Sequence, residues 1–327
     1  MRLPWKKIQM IHTLLQEYQT IVLFRHEAPD FDCLGAQFGL REWLRANFPS
    51  KRVYVLGETK VEVGRRLFPT SDHVSDEILK QSPFLAIVLD TSNRSRISDH
   101  RFDWADHIIK IDHHQQGEDY GDINIIMTES SATCELLFRI LKSRQLTEYS
   151  LPREAARMLY VGIVGDTGRF QFSNTTPDSL KISAELLKYN FNLQDEVYMP
   201  IYNKDPNLFN VMKHILNHYV ITPGKVAYYH LSQADLEMLG ISSEEGKNLS
   251  YLFNYCDEIL VWVAFAEDVA TGLWRASIRS RDVIVNRVAA RHRGGGHLHA
   301  AGARARTYEE TLEIIRELEE EILENID

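Results

Sequence analysis

Apolar positions along the chain alternate between two periods. Within residues 5–18, Ile8, Ile11, Leu14 and Leu15 recur at helical spacing, and residues 21–24 follow as a short unbroken apolar run. The pairing repeats. Residues 34–47 place Leu34, Phe38, Leu40, Trp43 and Leu44 along a helix, and residues 52–56, 85–89 and 108–111 read as short strands. A further helix is expected to about residue 143, capped by Ser130 or Ser131 with Glu135 in its first turns, and another begins at Pro152. Such alternation predicts an α/β fold with a mainly parallel sheet. Three of the strands run into an acid or a His–acid cluster. In open α/β sheets ligands gather outside the strand ends, so these clusters are expected to converge.

The second half repeats the class in a smaller form. Residues 180–187 and most of 194–217 read as helical, with no Ser/Gly/Pro-rich linker. Residues 226–230, 258–265 and 272–279 read as strands, the last two as a hairpin, and residues 284–292 and 309–322 as helices. The expected division is a first α/β domain over residues 1–190, a helical connector over 191–217, and a smaller α/β domain over 218–327.

Composition narrows the class. The chain has 327 residues, 44% apolar and 25% charged, as expected of a water-soluble globular protein of about two domains. Its apolar runs are far shorter than the ~18–20 residues that cross a bilayer, so no membrane partner is expected. The three cysteines, Cys33, Cys134 and Cys256, lie far apart and make neither a disulfide framework nor a zinc-type pair, which fits a cytoplasmic location. The net charge of −9 argues against a protein that coats duplex nucleic acid. One stretch departs from that average: between Arg275 and Arg306 there are eight arginines and a single acid, Asp282. A compact basic patch on an acidic protein suits a small anionic ligand.

Four clusters carry the chemistry. The first is His26, Asp30 and Asp32, with Pro29 stiffening the turn and Gly35 letting backbone approach the site; the second is Asp90, directly after a strand. The third is Asp112-His113-His114, again at a strand end, where adjacent histidines point in different directions and Asp112 can orient one ring. The fourth is Asp166 between Gly165 and Gly168. Imidazole and carboxylate donors suit Mn²⁺, Mg²⁺, Zn²⁺ or Fe²⁺. Six such ligands, His26, Asp30, Asp32, Asp90, His113 and Asp166, are what two metal ions need if Asp90 bridges them. No P-loop or nucleophile elbow is present, which disfavours ATP-driven work and a covalent serine mechanism.

A further motif lies in the basic stretch. Gly294-Gly295-Gly296-His297 can expose backbone N–H groups toward one anion, with a following helix N-terminus adding its dipole. Arg279 and Ser280 close the preceding strand, and the guanidinium can reach the same anion.

These motifs resemble the DHH phosphoesterase family, in the branch whose second domain is called DHHA1, over residues from about 8 to 320. The first family motif, H-x-x-P-D-x-D-x-x-G-S, is matched from His26 to Gly35, with Ala36 in place of the serine. Asp90, Asp112-His113-His114 and Gly165-Asp166-Thr167-Gly168 match the others, and Gly294 to Gly302 match the DHHA1 signature with Leu298 where Pro is common. The resemblance implies that His26, Asp30 and Asp90 bind one metal and that Asp32, Asp90, His113 and Asp166 bind the other. Two Mn²⁺ per chain are implied, with Mg²⁺ or Co²⁺ as substitutes. Asp90, Asp112, His113 and His114 are then catalytic, with His114 on the scissile phosphate. Arg279, Ser280, Gly294, Gly295, Gly296 and His297 hold the substrate's terminal phosphate across an interdomain cleft.

Within the family, the segments DYGDINI and VGIVGDTGRFQFSNTT resemble the bacterial branch of bifunctional oligoribonucleases and 3′-phosphoadenosine 5′-phosphate phosphatases. The implied substrates are short single-stranded RNA, linear dinucleotides such as pApA, and the mononucleotide bisphosphate; a homodimer is left as an option. The alternatives are a cyclic dinucleotide phosphodiesterase, a RecJ-like single-strand exonuclease and, outside catalysis, a nucleotide-binding regulator.

Overall fold

The computed structural model describes residues 3–57, 67–115, 117–202, 205–254 and 256–326. Strands β1 (Thr20–Phe24), β2 (Arg52–Val55), β3 (Leu85–Leu89), β4 (His107–Asp112) and β5 (Ile123–Ile126) form one sheet in the order β2-β1-β3-β4-β5. All four pairings are parallel. Both faces of the sheet are covered, which is why its strands read as unbroken apolar runs. Ile21, Leu23, Leu85, Ile87, Leu89, Ile109 and Ile111 enter one core, while Val22, Phe24, Ala86 and Val88 enter the other beside Phe84, Ile97 and Phe102.

The helices of this part are α1 (Trp5–Glu17), α2 (Phe31–Asn47), α3 (Asp76–Lys80), α4 (Thr133–Leu141), α5 (Arg153–Asp166), α6 (Pro177–Leu187) and α7 (Met199–Tyr202). Helix α2 begins three residues earlier than its apolar period suggests, because the Asp30 side chain caps it by accepting from Cys33 N. The expected serine cap on α4 is not formed: Ala132 is the capping residue, and Ser131 donates to Glu135 instead. Gly35 serves helix packing rather than backbone approach to the site. A Cβ there would stand 2.6 Å from Met158 O on α5 and 2.9 Å from Cys134 Sγ.

The chain divides into two compact units, residues 1–203 and 204–327. The helical stretch after residue 193 is shared between them: Gln194–Tyr202 lies in the first, and α8 (Asn207–His218) in the second. The second unit adds α9 (Gln233–Leu239), α10 (Ser243–Lys247), α11 (Asn286–Arg291) and α12 (Tyr308–Ile326) around a six-stranded mixed sheet. Its strands are β6 (Val220–Ile221), β7 (Val226–Leu231), β8 (Val261–Asp268), β9 (Leu273–Ser280), β10 (Gly295–His297) and β11 (Ala300–Ala305), in the order β10-β11-β9-β8-β7-β6. Strands β8 and β9 form the expected antiparallel hairpin, and β7 runs parallel to β8. The glycine run differs from expectation. Gly295–His297 is an edge strand paired with β11, and no helix follows it. Gly296 is required there: its φ is +142°, and a Cβ would stand 2.6 Å from Ala300 O.

No described helix is long and apolar enough to cross a membrane. The three cysteines are free thiols.

Candidate metal centre

The C-terminal ends of β1, β3 and β4 deliver side chains to one place in the first unit. Asp90 leaves β3 with φ +54°, a left-handed conformation uncommon for a residue with a Cβ. That turn puts its carboxylate among three imidazoles. Oδ2 lies 3.6 Å from His26 Nε2, and Oδ1 lies 3.6 Å from both His113 Nε2 and His114 Nδ1. Asp30 Oδ2 approaches His26 Nε2 from the other side at 3.7 Å. Asp32 and Asp166 approach His113 Nε2 at 3.9 and 3.4 Å. All six residues expected as ligands therefore meet, with Asp90 at the centre.

Helix α4 contributes what the strands do not. Its first backbone N–H groups, Thr133 N and Cys134 N, donate to the two oxygens of Asp32 at 2.6 and 2.9 Å. Thr133 Oγ1 donates to Asp90 Oδ1 at 2.9 Å. The helix start is itself anchored, since Glu135 Oε2 accepts from Ser131 Oγ and Ser179 Oγ. Thr133 and Cys134 were not singled out from the sequence. The cue was present in the segment SSATC, small polar residues at a helix start.

The two adjacent histidines are held differently. His113 Nδ1 faces Ser130 O at 3.2 Å, which leaves Nε2 for the carboxylates. His114 Nδ1 is 2.7 Å from Asp112 Oδ1, so Asp112 orients His114, and the rings meet edge-on at 4.7 Å. Asp112 is the last residue of β4 and is buried.

The electrostatics are crowded. Burial, then repulsion from Asp90, Asp166 and Asp30, drives the carboxyl of Asp32 well above the usual range. Asp166 is pushed up to about 6, by burial first, with His113 opposing and Asp90 adding to the rise. Burial works against protonated His26, but Asp30 and Asp90 outweigh it and raise its pKa. Burial also opposes ionised Asp30 and Asp112, and the partners His26 and His114 respectively outweigh it, lowering both. His114 is raised, chiefly by its hydrogen bond to Asp112.

This donor set fits divalent cations. Four carboxylates meet with only imidazoles as ion-pair partners among the described residues, and a cation offsets both the burial and the like-charge repulsion that raise Asp32. Among the described residues, three sets of donors each lie within 4.8 Å of one another: His26–Asp30–Cys33, Asp90–His113–His114 and Asp32–His113–Asp166. Cys33 was not expected here; burial pushes its thiol up to about 12, and it donates to Asp30 O at 3.5 Å.

The second unit groups the other expected residues. Arg279, Ala300 and His297 lie abreast on β9, β11 and β10. Directly opposed residues share a sheet face, so Arg279 and His297 stand on one face two strands apart. Arg279 Nη1 donates to Ile278 O at 2.9 Å and to Ala301 O at 3.4 Å, and burial lowers its pKa. Ser280 Oγ is turned inward and donates to Val283 O at 2.5 Å. Gly294, Gly295, Gly296 and His297 are exposed.

Comparison with known proteins agrees with this arrangement. The family model "DHH family, N-terminal domain" matches residues 20–163, and the DHHA1 domain model matches residues 229–324. The chain is 35% identical over 304 residues to a protein of Streptococcus mutans described as a probable bifunctional oligoribonuclease and PAP phosphatase NrnA, covering 93% of this chain and 95% of that one. It is 32% identical over 313 residues to the bifunctional oligoribonuclease and PAP phosphatase NrnA of Bacillus subtilis, covering 96% and 97%. An exopolyphosphatase-related protein from Bacteroides fragilis shares the fold, with a TM-score of 0.84 at 24% identity over 97% of this chain and 96% of that one. The chain belongs to the DHH family, in the branch that carries a DHHA1 domain, and is closely related to the bacterial NrnA-type proteins.

Proposed function

We propose that this protein is a manganese-dependent phosphoesterase that hydrolyses short oligoribonucleotides, including linear dinucleotides such as pApA, to mononucleotides, and removes the 3′-phosphate of 3′-phosphoadenosine 5′-phosphate. The observation that carries the reading is Asp90, whose two oxygens face different imidazoles within a set of four converging carboxylates. The activities by which the Streptococcus mutans and Bacillus subtilis relatives are described suggest the substrate class.

In this reading His26, Asp30 and Asp90 hold one divalent ion, and Asp32, Asp90, His113 and Asp166 hold a second. Such ions, when bound, supply the positive charge that acidifies a water and offsets charge on the phosphoryl oxygens. The chain's own groups do the rest. Thr133 and the start of α4 fix Asp90 and Asp32, so the ligands do not reorganise during reaction. Asp112 fixes the His114 ring, whose free edge donates toward a phosphoryl or leaving oxygen. Arg279 and His297 give the second unit two donors on one face for the substrate's other phosphate.

The test is a product series from defined two- to twelve-nucleotide RNAs, pApA and 3′-phosphoadenosine 5′-phosphate, with Mn²⁺ present. Mononucleotides from the shortest RNAs, and AMP from the bisphosphate, are expected. Preference for long single strands would favour a RecJ-like exonuclease, and preference for cyclic dinucleotides a cyclic phosphodiesterase.

A further inference from the structure

Lys110 lies in the middle of a parallel sheet and is fully buried. On its face of the sheet the residues of β1 and β3, Val22, Phe24, Ala86 and Val88, are all apolar; Val88 is its register partner on β3, and Asn124, whose amide is bound to Gly121, is its register partner on β5. A charged side chain at such a position is costly to desolvate and is retained only with full compensation. The proposed chemistry makes no use of it.

The compensation is specific. Lys110 Nζ donates to Ser92 O at 2.8 Å and to Glu118 O at 2.9 Å, and lies 3.2 Å from Asp112 Oδ2. Its three protons thus have three oxygen neighbours. The Tyr120 ring covers it, with Nζ 4.8 Å from the ring centroid, and Tyr120 Oη donates to Thr91 O at 2.7 Å. Ser92 follows Asp90 by two residues, and Glu118 lies in the segment that follows His113 and His114. The same two segments also meet directly, since Glu118 N donates to Ser92 O at 2.9 Å. Asp112 Oδ2 accepts no hydrogen bond among the described residues and has the Lys110 ammonium as its ion-pair partner, while Oδ1 is engaged by His114.

We propose that Lys110 is a positioning residue. Its ammonium holds the Asp112 carboxylate in the rotamer that orients His114, and joins the segment after Asp90 to the segment after His114 from beneath the metal centre. A neutral residue of the same length fills the space, but leaves Asp112 Oδ2 facing an apolar side chain and lets the carboxylate turn. Lys110 touches neither substrate nor the proposed metal ligands, so it acts through Asp112 and His114. This inference rests on the phosphoesterase reading for its kinetic readout only.

The experiment uses the full chain with Lys110→Met, Lys110→Gln, Lys110→Arg, His114→Ala and the double variant Lys110→Met/His114→Ala. In the wild-type background Lys110→Met is expected to lower kcat on pApA by roughly 10–100-fold, as a misplaced catalytic group does, with KM changed by less than about 3-fold. In the His114→Ala background the same substitution is expected to cost less than about 2-fold, because the group it positions is gone. Lys110→Arg is expected to recover part of the loss. An equal fold loss in both backgrounds overturns the proposal, as does wild-type kcat in folded Lys110→Met. If Lys110→Met does not fold, Lys110→Gln takes its place in the cycle. NMR of protein labelled at histidine supplies a readout free of activity: the His114 ring resonances are expected to shift in the Lys110 variant while those of His12 and His230 stay in place. Unmoved His114 resonances overturn the proposal. A wild-type protein inert on every phosphoester tried would defeat the functional reading, yet leave the NMR test of Lys110 decisive.

Discussion

Thr133 donates its side-chain hydroxyl to the carboxylate of Asp90 at 2.9 Å, across 43 residues of sequence. Through that bond the end of β3 and the start of α4 share one fixed point at the centre of the carboxylate cluster. The same helix start holds both oxygens of Asp32. Two of the four converging carboxylates therefore owe their position to a helix that supplies no ligand of its own.

Thr133→Val keeps the branched shape and removes only the hydroxyl. The expected result is a Mn²⁺ affinity weakened by roughly 10–100-fold, the usual cost of losing a partner that orients a ligand. Isothermal calorimetry with Mn²⁺ checks it, beside a thermal melt. Unchanged affinity would mean that the Asp90 rotamer is set by its left-handed backbone alone.

Asp90→Asn tests the centre itself. It removes one negative charge from a site where burial, with repulsion from Asp90 adding to it, already raises Asp32 and Asp166. The metal-free variant should melt close to the wild-type temperature, because the like-charge repulsion it relieves is set against the ion pairs with His26, His113 and His114 that it weakens. Mn²⁺-dependent turnover should fall by roughly 10²–10³-fold or more, since charge placed for the transition state is lost. Near-normal turnover by folded Asp90→Asn would remove Asp90 from the centre of the mechanism.

Much of the first unit was legible in the chain, for a physical reason. Runs such as LAIVL at β3 are buried on both faces, so period and burial agree, and the acids after them stand where an open sheet places its ligands. The residues that orient those acids were not legible. Thr133 and Cys134 act through backbone N–H groups and one hydroxyl, which leave no periodic trace. Lys110 sits inside an apolar strand pattern, where its charge reads as an interruption rather than a device. The glycine run misled in a different way. Three glycines suggest a turn of exposed N–H groups before a helix, but with φ +142° at Gly296 the last two form an edge strand with His297 against the small residues of β11. Pairing partners that lie far along the chain are not written in local periodicity.

Histidine burial in the second unit sets a pH dependence of stability. His230 stacks on Phe265 with ring centroids 4.8 Å apart and bonds Thr311 Oγ1 at 2.7 Å. Burial lowers its pKa to about 4 from the ordinary 6.5. The unfolded chain therefore binds this proton more readily than the folded one. Stability from this group is complete above pH 6.5 and is lost as pH falls from 6.5 toward 4, by up to about 3 kcal/mol. Urea melts at pH 7.5, 5.5 and 4.5, for wild type and His230→Gln, measure it. The variant is expected to be less stable at pH 7.5 and to lose less between pH 7.5 and 4.5. Parallel pH slopes in the two proteins would assign the acid sensitivity to other groups.

Arg279 offers the sharpest separation between the two units. Its guanidinium is tied to Ile278 O and Ala301 O, and it shares a sheet face with His297 two strands away. A fixed guanidinium loses little freedom on meeting a phosphate, and a bond to a charged partner contributes about 1.5–3 kcal/mol. Arg279→Ala should therefore lower kcat/KM on pApA by roughly 10–100-fold, the same energy expressed as a ratio. Its Mn²⁺ affinity should equal that of wild type, because the carboxylates and imidazoles all lie in the first unit. A minimal phosphodiester with no second phosphate should be hydrolysed by the variant nearly as fast as by wild type, since binding remote from the reacting bond assists only substrates long enough to use it. Parallel assays on the two substrates, with Mn²⁺ titrations alongside, decide the matter. Equal proportional losses on both would mean that Arg279 supports the fold of the second unit rather than the grip on a distant phosphate. A loss of Mn²⁺ affinity would mean that the two units do not divide metal and anion binding between them.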